Sequence, residues 1–159
     1  MRELLRILET EGPVDSQELA VRLGQSVAEV EAALADLREQ GVLLRYSALV
    51  NWEKVEEEKV YAFINVSATP EHGCGFDKVA EYLSQFAEVH SLYLMSGQAD
   101  LCVVVEGRDF RDIARFVAEK LAPTPGVRST STSFVLKTYK MEGEKLFGEA
   151  KNGRLAVSP

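Results

Sequence analysis

Between two apolar runs of this 159-residue chain lies Ser96-Gly97-Gln98-Ala99-Asp100, the stretch best suited to hold a small ligand. Its glycine can take φ > 0, as a four-residue hinge requires, and by themselves Gly97 and Asp100 read equally as a turn glycine and a turn-closing aspartate. A second polar stretch, Ser129-Thr130-Ser131-Thr132-Ser133, offers hydroxyls at strand spacing, and it also reads as an edge strand kept polar against aggregation.

Other reactive residue types are sparse. The two histidines, His72 in a Gly-rich loop and His90 at the entry to the first apolar run, have no base or nucleophile at a recognisable spacing. Cys74 and Cys102 form no Cys-x-x-Cys pair, which leaves two free thiols and neither a disulfide framework nor a zinc site. The chain has no phosphate-binding glycine loop, no Gly-x-Ser-x-Gly elbow and no metal-spaced cluster. These absences point away from an enzyme, and no cofactor or metal is expected.

The elements that position the turn follow from periodicity. Val89 to Met95 and Leu101 to Val105 are β-rich arms of a hairpin hinged on Ser96 to Ala99. Before it, Val60 to Val66 alternates as a strand, Thr69 to Gly75 is a loop, and Phe76, Val79, Ala80 and Leu83 mark a helix. After it, Asp109 caps a helix with Phe110, Ile113, Ala114, Val117 and Leu121 inward, and Val127 to Tyr139 is the last strand. This βαββαβ order predicts a ferredoxin-like sheet with both helices on one face. Strands apolar on both faces predict that the other face is covered by a second copy.

The first fifty residues read as three helices. Leu4, Leu5, Ile7 and Leu8 stripe the first; Asp15 to Glu18 and Ser26 to Glu29 are capping-box patterns opening the second and third; Gly24 and Gly41 close them. The Gly24-Gln25 turn outlines a helix-turn-helix, or else a plain helical interaction module. Val42 to Val50 reads as a following strand. Residues 51–59, including Trp52 as a hinge aromatic and Glu56-Glu57-Glu58 as a solvated turn, form a polar linker. Residues 141–159 lack periodicity and are expected to be partly ordered or disordered. The overall class is α+β, with domains at 1–50 and 60–140. Without an apolar span or an N-terminal secretory segment, a soluble cytoplasmic protein with no membrane partner is expected.

In this order, Leu19-Ala20-x-x-Leu23-Gly24-x-Ser26, Gly41-Val42 with Tyr46, Ser96-Gly97-Gln98-Ala99-Asp100, and Pro125-Gly126-Val127 leading to Phe134-Val135-Leu136-Lys137 resemble the Lrp/AsnC (feast/famine) family of transcription regulators. The resemblance covers about residues 1–140. It implies a winged-helix-like DNA-binding domain and a second domain that dimerises, assembles to tetramers or octamers, and senses an amino acid. The family's Gly-x-x-Asp turn falls on Gly97 and Asp100. Both are implied effector contacts, with Met95, Ser96, Thr130 and Thr132 as neighbours.

One departure bears on DNA. Relatives usually carry Arg and Lys in the middle of the third helix, where this chain has Ala32, Ala33, Ala35 and Asp36 after Glu29 and Glu31. Residues 1–50 hold five basic and nine acidic side chains, a balance of −4 within a whole-chain charge of −7. Such charge repels phosphate. Two readings follow: DNA contact through Arg22, Gln25, Ser26, Arg38 and Arg45 aided by many subunits, or an effector-sensing partner that has lost DNA and joins related regulators in hetero-oligomers. A third, a haem-pathway decarboxylase of similar architecture, would need a cleft of His and Arg residues, for which this chain offers only the histidines His72 and His90.

Overall fold

A computed structural model describes residues 1–55 and 59–146. Part of the expected 51–59 linker, including the acidic triplet Glu56 to Glu58, and the tail from residue 147 lie outside the described residues. The chain divides into two compact units, Met1–Val50 and the residues from Asn51 onward.

The first unit packs α1 (Arg2–Glu11), α2 (Ser16–Leu23) and α3 (Val27–Glu39) around Leu4, Leu8, Leu19, Ala20, Val30, Leu34 and Leu37. Gly24 takes the left-handed conformation, φ 64°, that ends α2 and allows the immediate turn into α3. The Ser26 capping box is complete: Ser26 Oγ accepts from Glu29 N, and Glu29 Oε2 accepts from Ser26 N at 2.8 Å. The Asp15 pattern is realised only by half. Asp15 Oδ1 accepts from Gln17 N at 2.8 Å, while Glu18 reaches forward to Arg22 instead of folding back.

The expected strand from Val42 to Val50 does not form. Among the described residues, residues 44–50 have no ladder partner, and Val42 and Leu44 are exposed. A strand needs a neighbouring backbone for its N–H and C=O groups, and apolar composition cannot supply one.

In the second unit β1 (Val60–Ala68), α4 (Asp77–Ser84), β2 (Val89–Leu94), β3 (Leu101–Gly107), α5 (Phe110–Phe116) and β4 (Val127–Phe134) follow the βαββαβ order. The sheet order is β2-β3-β1-β4 and all pairs are antiparallel, consistent with a ferredoxin-like fold. Ala62, Ile64, Val66, Leu101, Val103 and Val105 face α4 and α5, packing on Val79, Leu83, Ile113, Phe116 and Leu121. Here Phe116 takes the inward place expected of Phe110 and Ala114, which are exposed. The helix continues as a π-turn over Val117–Leu121, with Ala122 N donating to Val117 O at 2.8 Å. That extra residue rotates the face, so Leu121 joins Phe116 in the core.

β4 stops at Phe134 rather than Tyr139, because β1 starts at Val60 and leaves nothing further to pair with; Val135 N makes the last bond, to Tyr61 O at 2.8 Å. The start of the expected aperiodic tail instead makes a small hairpin, β5 (Lys140–Met141) with β6 (Glu144–Lys145). Its two turn residues, Glu142 and Gly143, both have positive φ, as a two-residue hairpin loop requires.

Candidate functional site

The hairpin turn is held open by its own backbone and by β1. Met95 N donates to Asp100 O at 2.9 Å, and Asp100 N donates to Val66 O at 3.0 Å. Between them Met95, Ser96, Gly97 and Gln98 are exposed, and Gly97 sits at φ 152°, a value that strains any side chain with a Cβ.

Asp100 does more than close the turn. Its Oδ2 accepts from Ala68 N at 2.9 Å and from Arg128 Nη2 at 3.5 Å. The Arg128 contact arises from a bulge. Ser67 pairs with Ser129 and Ala68 with Val127, so Arg128 is the extra residue of β4. A bulge removes one residue from the ladder and re-aims its side chain. Three distant strand ends meet at one carboxylate.

Of the six candidate contacts, Met95, Ser96, Gly97 and Asp100 share the turn, with Asp100 already bonded to the fold. Thr130 and Thr132 pair with Val66 and Ile64 and so lie half-buried on the helix-covered side. Arg128 and the Ala68 N–H went unseen in the sequence. No local signal links positions 28 or 32 residues from Asp100.

The helix-free face is less apolar than its composition implied. Phe63, Tyr93, Cys102 and Val104 form an apolar centre, but Asn65, Ser67, Ser129, Ser131 and Ser133 make its β4 side polar. Phe63 is 47% exposed and Tyr93 53%. β4 is an edge strand, where polar residues discourage pairing with other chains.

At the linker end of this face, Lys59 Nζ lies 3.9 Å from the centre of the half-buried Trp52 ring and 2.8 Å from Glu106 Oε1. The hydrogen bond from Lys59 holds the Glu106 carboxyl below its ordinary range. Burial, with the Glu106 charge beside it, pushes the Tyr61 hydroxyl up.

The candidate DNA contacts are partly engaged. Arg22 Nη1 donates to both carboxylate oxygens of Glu11, at 2.8 and 2.9 Å, and Nη2 to Glu18; these bonds hold the guanidinium more firmly protonated. Ser26 caps α3 and hydrogen-bonds Glu29 at 2.7 Å. Arg38 lies 5.9 Å from the Tyr46 ring centre, while Gln25 and Arg45 are exposed. The solvent face of α3 presents Val27, Ala28, Glu29, Glu31, Ala32, Ala35, Asp36, Arg38 and Glu39. Apart from Arg38 in the last turn, these acidic and short side chains offer phosphate nothing to hold.

His72 and His90 are both exposed, and His90 Nδ1 lies 3.0 Å from Ser91 Oγ. Among the described residues no group of three His, Cys, Asp or Glu side chains is placed to hold a metal ion, Cys74 and Cys102 are free, and no helix is long and apolar enough to cross a membrane.

Residues 61–144 match the family model of the Lrp/AsnC ligand binding domain. Over 99% of its length the chain is 42% identical to an uncharacterized HTH-type transcriptional regulator, YugG of Bacillus subtilis, 95% of which is covered. Among solved structures, it is similar to a transcriptional regulator of Neisseria meningitidis in complex with L-Met (TM-score 0.68, 28% identity, 87% of this chain and 88% of that one). It is also similar to the feast or famine regulatory protein of M. tuberculosis complexed with L-methionine (TM-score 0.71, 27% identity, 91% and 95%). These relatives are regulators, not enzymes.

Proposed function

We propose, from the premise that this chain belongs to the Lrp/AsnC family of transcriptional regulators, that it is an amino-acid-responsive regulator whose sensing half is better built than its DNA-reading half. The observation that carries this reading is the exposed Met95–Gln98 turn with the Asp100 carboxylate anchored at its base. Exposed backbone beside a fixed carboxylate suits an α-amino acid, and the two relatives bound to L-methionine support that class of effector.

The second unit would dimerise through the Phe63, Tyr93 and Val104 patch and assemble further into tetramers or octamers. The first unit would act as the helix-turn-helix, with α2 and α3 joined at Gly24. Its acidic α3 face makes a single module a weak DNA ligand, so binding would depend on several modules engaged together. The second reading, a partner that has lost DNA contact and senses effectors within hetero-oligomers, is favoured by the capture of Arg22 between Glu11 and Glu18.

Two measurements test the proposal. A thermal-shift screen against the twenty L-amino acids is expected to find at least one that raises the melting point by mass action, by the equivalent of about 2.7 kcal/mol at a hundredfold excess over Kd. A gel-retardation assay with genomic fragments at low salt is expected to find shifted complexes. No stabilising amino acid removes the sensor reading. No shifted fragment leaves only the DNA-free partner.

A further inference from the structure

We propose that Arg128 is the residue that reads the carboxylate of the effector, forming with Asp100 a matched pair for the two charges of an α-amino acid. This rests on the effector reading above and adds to it a residue that the Gly-x-x-Asp turn does not contain.

Arg128 is the bulged residue of β4, excluded from the ladder because Ser67 pairs with Ser129 and Ala68 with Val127. Its side chain is 61% exposed, and among the described residues its guanidinium makes one contact, the 3.5 Å approach to Asp100 Oδ2. A contact that long and that exposed holds the arginine only weakly. Asp100, in contrast, is fixed, since the same oxygen accepts from the buried Ala68 backbone at 2.9 Å.

The site therefore has one anchored anion and one swinging cation beside an exposed turn. An ammonium satisfies the anchored carboxylate, while the planar fork of the guanidinium turns to receive a carboxylate bidentately. Both ligand charges lie on groups joined to a single carbon, so they are close together, as the two protein groups are. A ligand with only one of the two charges would leave the other protein group unmatched.

The test compares each of the twenty L-amino acids with its C-terminal carboxamide, which keeps the ammonium and loses the carboxylate. Binding is measured by calorimetry on the full chain and on Arg128→Ala and Arg128→Lys. The unmodified chain is expected to prefer the free acid by about tenfold or more, the scale of a lost hydrogen bond to a charged group. Arg128→Ala should lose most of that preference while remaining folded without ligand. Arg128→Lys, which keeps the charge without the fork, should fall between.

A preference kept intact in Arg128→Ala, or an equal loss for acid and amide, overturns the role of Arg128 and leaves the effector site standing. No binding of any amino acid to the unmodified chain overturns both.

Discussion

Asp100 makes the sharpest test, because its carboxylate serves the fold as well as the proposed ligand. Replacing it with alanine removes the acceptor for the Ala68 N–H, and Ala68 is fully buried. A buried donor left without a partner costs about 1–3 kcal/mol. The Arg128 contact, long and exposed, adds at most about 1 kcal/mol and is left aside. Taking about 1.5 kcal/mol, and roughly 4–8 °C of midpoint per kcal/mol for a unit of this size, Asp100→Ala should melt about 6–12 °C lower without any ligand.

Asp100→Asn supplies the control. Its amide oxygen still accepts from Ala68 N, so it should lose about half as much or less, the part due to charge. Thermal unfolding of the three proteins, followed by circular dichroism without ligand and then with the amino acid found by screening, separates the two roles. Asn should stay close to the unmodified baseline yet lose most of the ligand-induced rise. An Ala variant melting within about 1 °C of the unmodified chain would refute the structural role. An Asn variant with the full ligand response would refute the charged contact.

Three further perturbations probe other parts of the molecule. Neutralising the acids around Arg22, with Glu11→Gln and Glu18→Gln together, should strengthen low-salt DNA binding and steepen the slope of log K against log salt by about 0.9, one phosphate contact; an unchanged slope in anisotropy titrations would exclude Arg22 from the interface. Phe63→Lys places a charge in the apolar centre of the helix-free face and should shift the protein to a smaller species by light scattering, whereas an unaltered mass means that copies meet elsewhere. Glu106 titrates below its ordinary 4.5 in the folded chain, so its contribution is present above that value and lost as pH falls through the lower folded one. Glu106→Gln should therefore flatten the fall in melting temperature on acidification, and parallel curves would show that the Lys59 pair adds no stability.

Much of this molecule was legible along the chain. The alternation of Ala62, Ile64 and Val66, the cap at Ser26 and the glycine after Leu23 are local features, each imposed by the geometry of a few neighbouring residues. They determine which segments are helices and which are strands, and their order determines the ferredoxin-like class. The acidic third helix is likewise a property of composition.

Tertiary structure decided what depends on partners far away in sequence. Val42 to Val50 has a strand's composition and, among the described residues, no strand beside it; Val135 to Tyr139 runs beyond the end of β1; a π-turn, rather than an unbroken 3.6-residue period, brings Leu121 under the sheet beside Phe116. The candidate site shows the same division. Gly97 and Asp100 lie within one turn, whereas Ala68 and Arg128 are brought to Asp100 from other strands, Ala68 beside the β1–β3 pairing and Arg128 from the bulge in the β1–β4 ladder. Side-chain period is a local quantity, whereas register between strands is set by the whole sheet, and it is register that aims Arg128 at the turn.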